Sequence, residues 1–126
     1  MPQTTAPPFE DYVLRTREDG DVAVSAQLLG QGSSYFEGKT RWFEVFIYRD
    51  SIGRYLVHRL GQTSEPGESV RYQLDITGSA FEVVEILTSR THSNEVHIPR
   101  PSVRAIAQAA AFDDKIRDAY INRGPI

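Results

Sequence analysis

The chain has 126 residues, of which 40% are hydrophobic and 25% are charged, close to the averages of soluble globular domains. This length suits one domain rather than two, and it is long enough to fold without metals or cross-links. The net charge of −3 disfavours a general nucleic-acid-binding protein. The absence of cysteine excludes disulfides, thiolate catalysis and cysteine-ligated zinc sites, and it fits a reducing compartment.

The first eight residues include three prolines and predict a flexible tail (1–8), followed by a single α+β domain over residues 9–126. The tail has neither the basic region nor the apolar region of a secretory signal. No apolar run approaches the roughly 20 residues of a membrane span. We therefore expect a cytoplasmic protein that neither binds a membrane nor requires a cofactor.

Alternating apolar and polar residues predict five strands, over residues 12–16, 22–29, 41–48, 55–60 and 70–76. Asp19-Gly20 is a strong hairpin signal between the first two strands. Residues 30–40 and 61–69 are rich in turn-forming residues and predict loops, the first of which is a candidate for mobility. Five strands with such connections indicate an antiparallel meander sheet.

The period changes at Gly78, where Ser79 and Glu82 form a capping-box pair. The apolar residues that follow recur at helical spacing. They are Ala80, Val83, Val84 and Leu87. A strand is the competing interpretation because several residues here are β-branched, but we favour a helix.

Two further helices are predicted after a short strand over residues 95–98 that Pro99 and Pro101 end. Ser102 can cap the first helix, and Asp113 can cap the second after a break near Phe112. The apolar stripes are Val103, Ile106, Ala107 and Ala110 in the first helix, and Ile116, Ala119 and Tyr120 in the second. The expected fold is thus α+β, with an antiparallel meander sheet of about five strands packed against two or three short C-terminal helices.

The hairpin over residues 41–60 has two apolar faces, because strand side chains alternate. Phe43, Val45 and Ile47 are the expected core residues. The opposite side carries aromatic residues, which are enriched at protein interfaces. Our leading hypothesis is a small non-catalytic accessory protein that binds a protein partner, or a second copy as a homodimer, through Trp42, Phe46, Tyr48 and Tyr55. The simplest alternative is that the C-terminal helices cover this face.

A second hypothesis is binding of single-stranded nucleic acid on the sheet surface. Residues 41–72 carry five arginines and four carboxylates, so this segment is mildly basic within an acidic protein. Single strands bind surfaces that combine cations for phosphates with rings for bases. The residues that would supply the cations are Arg41, Arg49, Arg54 and Arg59.

Signatures of catalysis are weak, and the sequence gives no support for an enzyme. His92, Glu95 and His97 have the ligand types of a metal site but no regular element to hold them together. Residues 30–34 (GQGSS) resemble a phosphate loop only superficially, since neither a lysine nor a helix follows. His58 is expected as a half-buried strand residue, and Asp113, Asp114 and Asp118 as capping or solvated carboxylates.

Overall fold

Five antiparallel strands pair in chain order in one meander sheet, and three helices follow, which confirms the predicted fold class. The computed structural model describes residues 6–16, 20–88 and 100–122. The strands are β1 (Phe9–Leu14), β2 (Val22–Ser33), β3 (Arg41–Asp50), β4 (Tyr55–Thr63) and β5 (Arg71–Thr77). The helices are α1 (Ala80–Thr88), α2 (Arg100–Ala110) and α3 (Asp114–Ile121). The strand predicted over residues 95–98 lies outside the described residues.

The central β3–β4 hairpin is held by its turn. Asp50 Oδ1 accepts hydrogen bonds from the backbone N–H groups of Ile52 (3.1 Å) and Arg54 (2.8 Å), and Gly53 takes the positive φ that the turn requires. This turn sets the register in which Tyr48 pairs with Leu56. The two faces of the hairpin predicted from alternation follow from that register.

The three helices of the described residues pack on one face of the sheet. Val45, Ile47 and Val57 lie in a core cluster with residues from every helix. The predicted stripe of α1 is confirmed, since Ala80, Val83, Val84 and Leu87 are its buried residues. The predicted stripe of α3 also packs against this core: Ile116 is buried, and Ala119 and Tyr120 are partly buried.

The capping box of α1 forms only in part. Ser79 Oγ accepts the backbone N–H of Glu82 at 3.3 Å, as predicted. The Glu82 carboxylate accepts the hydroxyl of Thr77 at 2.8 Å, and the backbone N–H of Ser79 donates to that same hydroxyl oxygen. Thr77, the last residue of β5, therefore takes the place predicted for the reciprocal bond and fixes the strand–helix corner.

Helix α2 differs from its prediction in start and in buried face. It begins at Arg100, so Ser102 lies inside the helix and is buried rather than serving as its cap. The buried residues are Pro101, Ser102, Ala105, Ile106 and Ala109, so that only Ile106 of the predicted stripe is correct. A close approach of α2 to glycines in β2 explains the preference for small residues on this face.

β2 continues through the glycine-rich residues predicted as a loop. A Cβ added at Gly30 would lie 2.1 Å from the carbonyl oxygen of Ala105, and one at Gly32 would lie 2.1 Å from that of Pro101. The two glycines thus allow the helix backbone to lie directly on the strand. A register shift in the β2–β3 pairing lies between Leu28 and Gly30, next to this contact.

The sheet face opposite the helices, here called the open face, has its own apolar cluster. Leu14, Ala26, Tyr48 and Leu56 are buried there, and half-buried apolar residues from β1 to β5 surround them. The sheet curves into a half-barrel, which buries these residues although none of the described helices lies over them. The alternative in which helices cover the Trp42 side of β3 is wrong, because the described helices pack on the Val45 side.

Within the described ranges, no helix has the length and apolar character needed to cross a membrane.

Candidate functional site

A row of rings crosses the open face from β1 to β5. The ring centroids of Tyr12 and Tyr48 are 4.9 Å apart, and those of Tyr48 and Phe46 are 6.4 Å apart. The row continues from Phe46 to His58 (6.4 Å) and from His58 to Tyr72 (6.3 Å). These separations are typical of aromatic pairs that stabilise each other beyond burial alone. The row is buried at Tyr48 and His58 and partly exposed at Phe46 and Tyr72.

Aromatic side chains also gather where β2 leads into β3. Trp42 is half-buried and packs edge to face on Tyr35, with centroids 4.7 Å apart. Tyr35, Phe36 and Phe43 are 53%, 63% and 60% exposed. We call Tyr35, Phe36, Trp42 and Phe43 the aromatic rim. Lys39 lies over the ring of Phe36, 4.9 Å from its centroid.

The aromatic rim corrects one predicted core residue and adds two residues to the candidate site that were not predicted. Phe43, an expected core residue, shares a face with Val45 but is exposed, because its ring lies beside Gly61 of β4 instead of beneath a helix. Tyr35 and Phe36 were missed because they lie in a segment read only as a turn-rich loop. Two adjacent aromatic residues in such a loop were the signal available.

The four predicted partner-binding residues lie in three different environments. Trp42 and Phe46 are half-buried on the open face. Tyr48 is buried beside them, and this burial raises its pKa to about 12. Tyr55 lies on the opposite face in the core under the helices and donates to Asp113 Oδ2 at 2.8 Å. Burial, together with the bond to Asp113, raises the pKa of Tyr55 to about 12.

The four arginines considered for nucleic acid are each paired with a carboxylate. The pairs are Arg41–Glu68 (2.6 Å), Arg49–Asp113 (2.7 Å), Arg54–Asp50 (2.8 Å) and Arg59–Asp75 (3.0 Å). Strand alternation places three of them on the helix-covered side of the sheet, and Arg54 follows the β3–β4 turn. None of the four joins the ring row on the open face.

His58 is buried within the ring row. Its Nε2 donates to the backbone carbonyl of Arg15 at 2.8 Å, which ties the end of β1 to the far side of the open face. Burial lowers the pKa of His58, and the bond to the Arg15 carbonyl offsets part of that shift. His58 therefore packs within the ring row, and no carboxylate in the described part of the chain is hydrogen-bonded to its ring.

The remaining candidates for chemistry have structural roles or lie outside the described ranges. His92, Glu95 and His97 belong to the undescribed part, and the described residues contain no cluster of metal-ligating side chains. Of the residues compared with a phosphate loop, 30–33 belong to β2, and Gly30 and Gly32 lie against the backbone of α2. Asp113 caps α3, and both Asp114 and Asp118 lie near the guanidinium of Arg117.

A cleft of about 370 Å³ opens at the corner between the open face and α2. Its walls combine the rings of Tyr35 and Phe46 with polar side chains. The lining residues are Gln31, Gly32, Ser33, Tyr35, Glu44, Phe46, Arg104 and Gln108. The cleft therefore connects the aromatic rim with the ring row.

Comparisons with known proteins return no relative: no family model matches the chain, and neither the curated proteins nor the solved structures contain a match.

Proposed function

We propose that this chain is a non-catalytic interaction protein that binds another protein through the aromatic rim and the adjoining end of the open face. The observation that carries the proposal is the placement of the described helices on the opposite face, which leaves Trp42 and Phe46 partly exposed. Around them, Tyr35 and Phe36 are more than half exposed. Exposed aromatic residues that lie close together, such as Tyr35 beside Trp42, are typical of interaction sites.

The proposed anchors rest on a rigid base. Phe46 packs on the buried ring of Tyr48, and Trp42 packs on Tyr35. Rings held in this way lose little side-chain entropy on binding, which favours their use as interface hot spots. Tyr48 supports the anchors from below. Tyr55 belongs to the core and is not part of the proposed surface.

Binding of single-stranded nucleic acid has less support than binding of protein. That function requires cations beside the stacking rings. The arginines of the hairpin are instead paired with carboxylates, and three of them lie on the face away from the ring row. The net charge of −3 adds a general repulsion for phosphates.

Affinity purification with matched variants tests the proposal. The wild type, Tyr35→Glu and Phe46→Glu proteins are each used to capture proteins from the native host. Phe81→Glu is the control, since Phe81 is 56% exposed on α1, away from the rim. We expect a partner that the wild type and Phe81→Glu retain and that both rim variants lose.

The same partner set on all four proteins would contradict the proposal. Circular dichroism of each variant shows whether it has folded, and Tyr35→Glu changes a residue that is 53% exposed and lies outside the buried clusters. Sedimentation of the wild type over a range of concentrations separates self-association from binding of a different protein. Fluorescence of Trp42, the only tryptophan, shifts to the blue when either partner covers the rim.

A further inference from the structure

The cleft at the corner of the open face is built by the edge of β2 and by α2. β1 begins at Phe9, opposite Gln27, so among the described residues no strand pairs with the later part of β2 on that side. Helix α2 takes that place, and the side chain of Gln108 accepts the backbone N–H of Gln31 at 3.1 Å. The helix therefore supplies a hydrogen-bond acceptor to a backbone N–H at the strand edge, and it also forms one wall of the cleft.

The cleft offers apolar surface and one cation. Tyr35 and Phe46 supply rings, and Arg104 supplies a guanidinium from α2. In contrast with the arginines of the hairpin, Arg104 forms no ion pair with any described residue. The carboxylate that shares the cleft, Glu44, accepts a hydrogen bond from Gln62 at 2.8 Å instead.

We infer that the cleft receives an apolar side chain of the partner while Arg104 binds a carboxylate next to it in the partner chain. The inference rests on the proposed function and specifies the segment that docks. A volume of about 370 Å³ is at the small end of ligand pockets and suits one or two side chains. The expected occupant is a linear peptide with an aromatic or large aliphatic residue within a few positions of Asp or Glu.

The balance of charge in the cleft favours a peptide with one carboxylate over a ligand with several phosphates. Arg104 is a single guanidinium and can pair with only one anionic group. Glu44 lies in the same cleft, where its charge repels every further anion that Arg104 does not pair with.

Selection from a library of displayed random peptides tests the inference with a defined probe. The full chain is the bait, and the selected peptides are then titrated against the wild type, Arg104→Glu and Arg100→Glu. Arg100 is the matched control because it is exposed on the same helix and does not line the cleft. We expect selected peptides to share an acidic residue beside an apolar one. Reversing the charge of Arg104 should weaken their binding by about tenfold or more, and Arg100→Glu should leave it unchanged within about twofold.

The outcomes separate this inference from the proposed function. Peptides that bind Arg104→Glu as well as the wild type, but lose affinity with Phe46→Glu, would overturn the role of Arg104 and keep the docking surface. Peptides that bind all the variants equally would overturn both. A library that yields no peptide at all would count against docking of a linear segment on this face.

Discussion

Asp113 joins three elements through its two carboxylate oxygens. Oδ1 accepts the backbone N–H groups of Lys115 (2.9 Å) and Ile116 (3.1 Å), which caps α3. Oδ2 accepts hydrogen bonds from Arg49 Nη1 (2.7 Å) on β3 and from the hydroxyl of Tyr55 (2.8 Å) on β4. The carboxylate is buried and is the acceptor that these groups share, while Arg49 also donates to the side-chain oxygen of Gln27.

Replacing this carboxylate is expected to destabilise the fold strongly. Asp113→Ala removes the helix cap and leaves Arg49 and Tyr55 without their shared acceptor, at a cost of about 3 kcal/mol in the free energy of unfolding. Asp113→Asn keeps the cap and should cost less. Urea denaturation measures both values. Asp114→Ala, which removes only an exposed carboxylate, is the control with an expected cost below about 1 kcal/mol; equal costs for the two alanine variants would refute the role of Asp113.

Because His58 is buried, we expect the stability of the fold to depend on pH. Because burial lowers its pKa in the folded state, the unfolded chain binds a proton first as the pH falls through the ordinary histidine pKa of about 6.5. The free energy of unfolding should therefore decrease from about pH 7 downward and level off below the folded-state pKa. Urea melts of the wild type and His58→Gln over this range measure the difference. A slope that is unchanged in His58→Gln would assign the effect to other groups.

At the scale of elements, the contact between α2 and β2 depends on backbone packing. Gly30→Ala places a methyl group 2.1 Å from the Ala105 carbonyl, so the helix must move off the strand. We expect a loss of about 3 kcal/mol in the free energy of unfolding. Gly78→Ala is the matched control, since its Cβ would meet nothing within 4 Å. Thermal denaturation gives the melting temperature of each variant. If the two melting temperatures agree within about a degree, α2 does not need the close approach to β2.

Sequence patterns were sufficient where one residue period continued without interruption. The alternation in β3 and β4 and the helical spacing in α1 predicted both the elements and their buried sides. For α2 the pattern of large apolar residues was misleading, because the buried face is set by the fit of Ala105 and Ala109 against β2. A single sequence does not show which glycine will meet which helix, so β2 was predicted to end too early.

The candidate site was predicted less completely than the fold. Trp42 and Phe46 were identified because alternation separates the two sides of a strand. Tyr55 is also an aromatic residue of the hairpin, but it lies on the side of the sheet that the helices cover. Arg104 carried no signal in the sequence, since its position at the cleft follows from the placement of α2 over the edge of β2.

For the whole molecule, the main property is one sheet with an apolar cluster on each side. Helices cover one cluster, and curvature of the sheet together with residues from β1 and β2 buries the other. The bond from His58 to the carbonyl of Arg15 holds the open face together across several strands. The open face can therefore contribute to stability at one end and present partly exposed rings at the other.

Neighbouring residues on β4 test whether both sides are cores. Leu56 faces the open side and Val57 faces the helices, and both are almost completely buried. Leu56→Ala should cost about 3 kcal/mol and Val57→Ala about 2 kcal/mol in the free energy of unfolding, because each leaves a cavity. Ile52→Ala, at a residue 74% exposed in the hairpin turn, is the control and should change stability little. Urea denaturation followed by Trp42 fluorescence measures all three. A cost below about 1 kcal/mol for Leu56→Ala would mean that the open face is not a core, and its rings would then lack the rigid base on which partner binding depends.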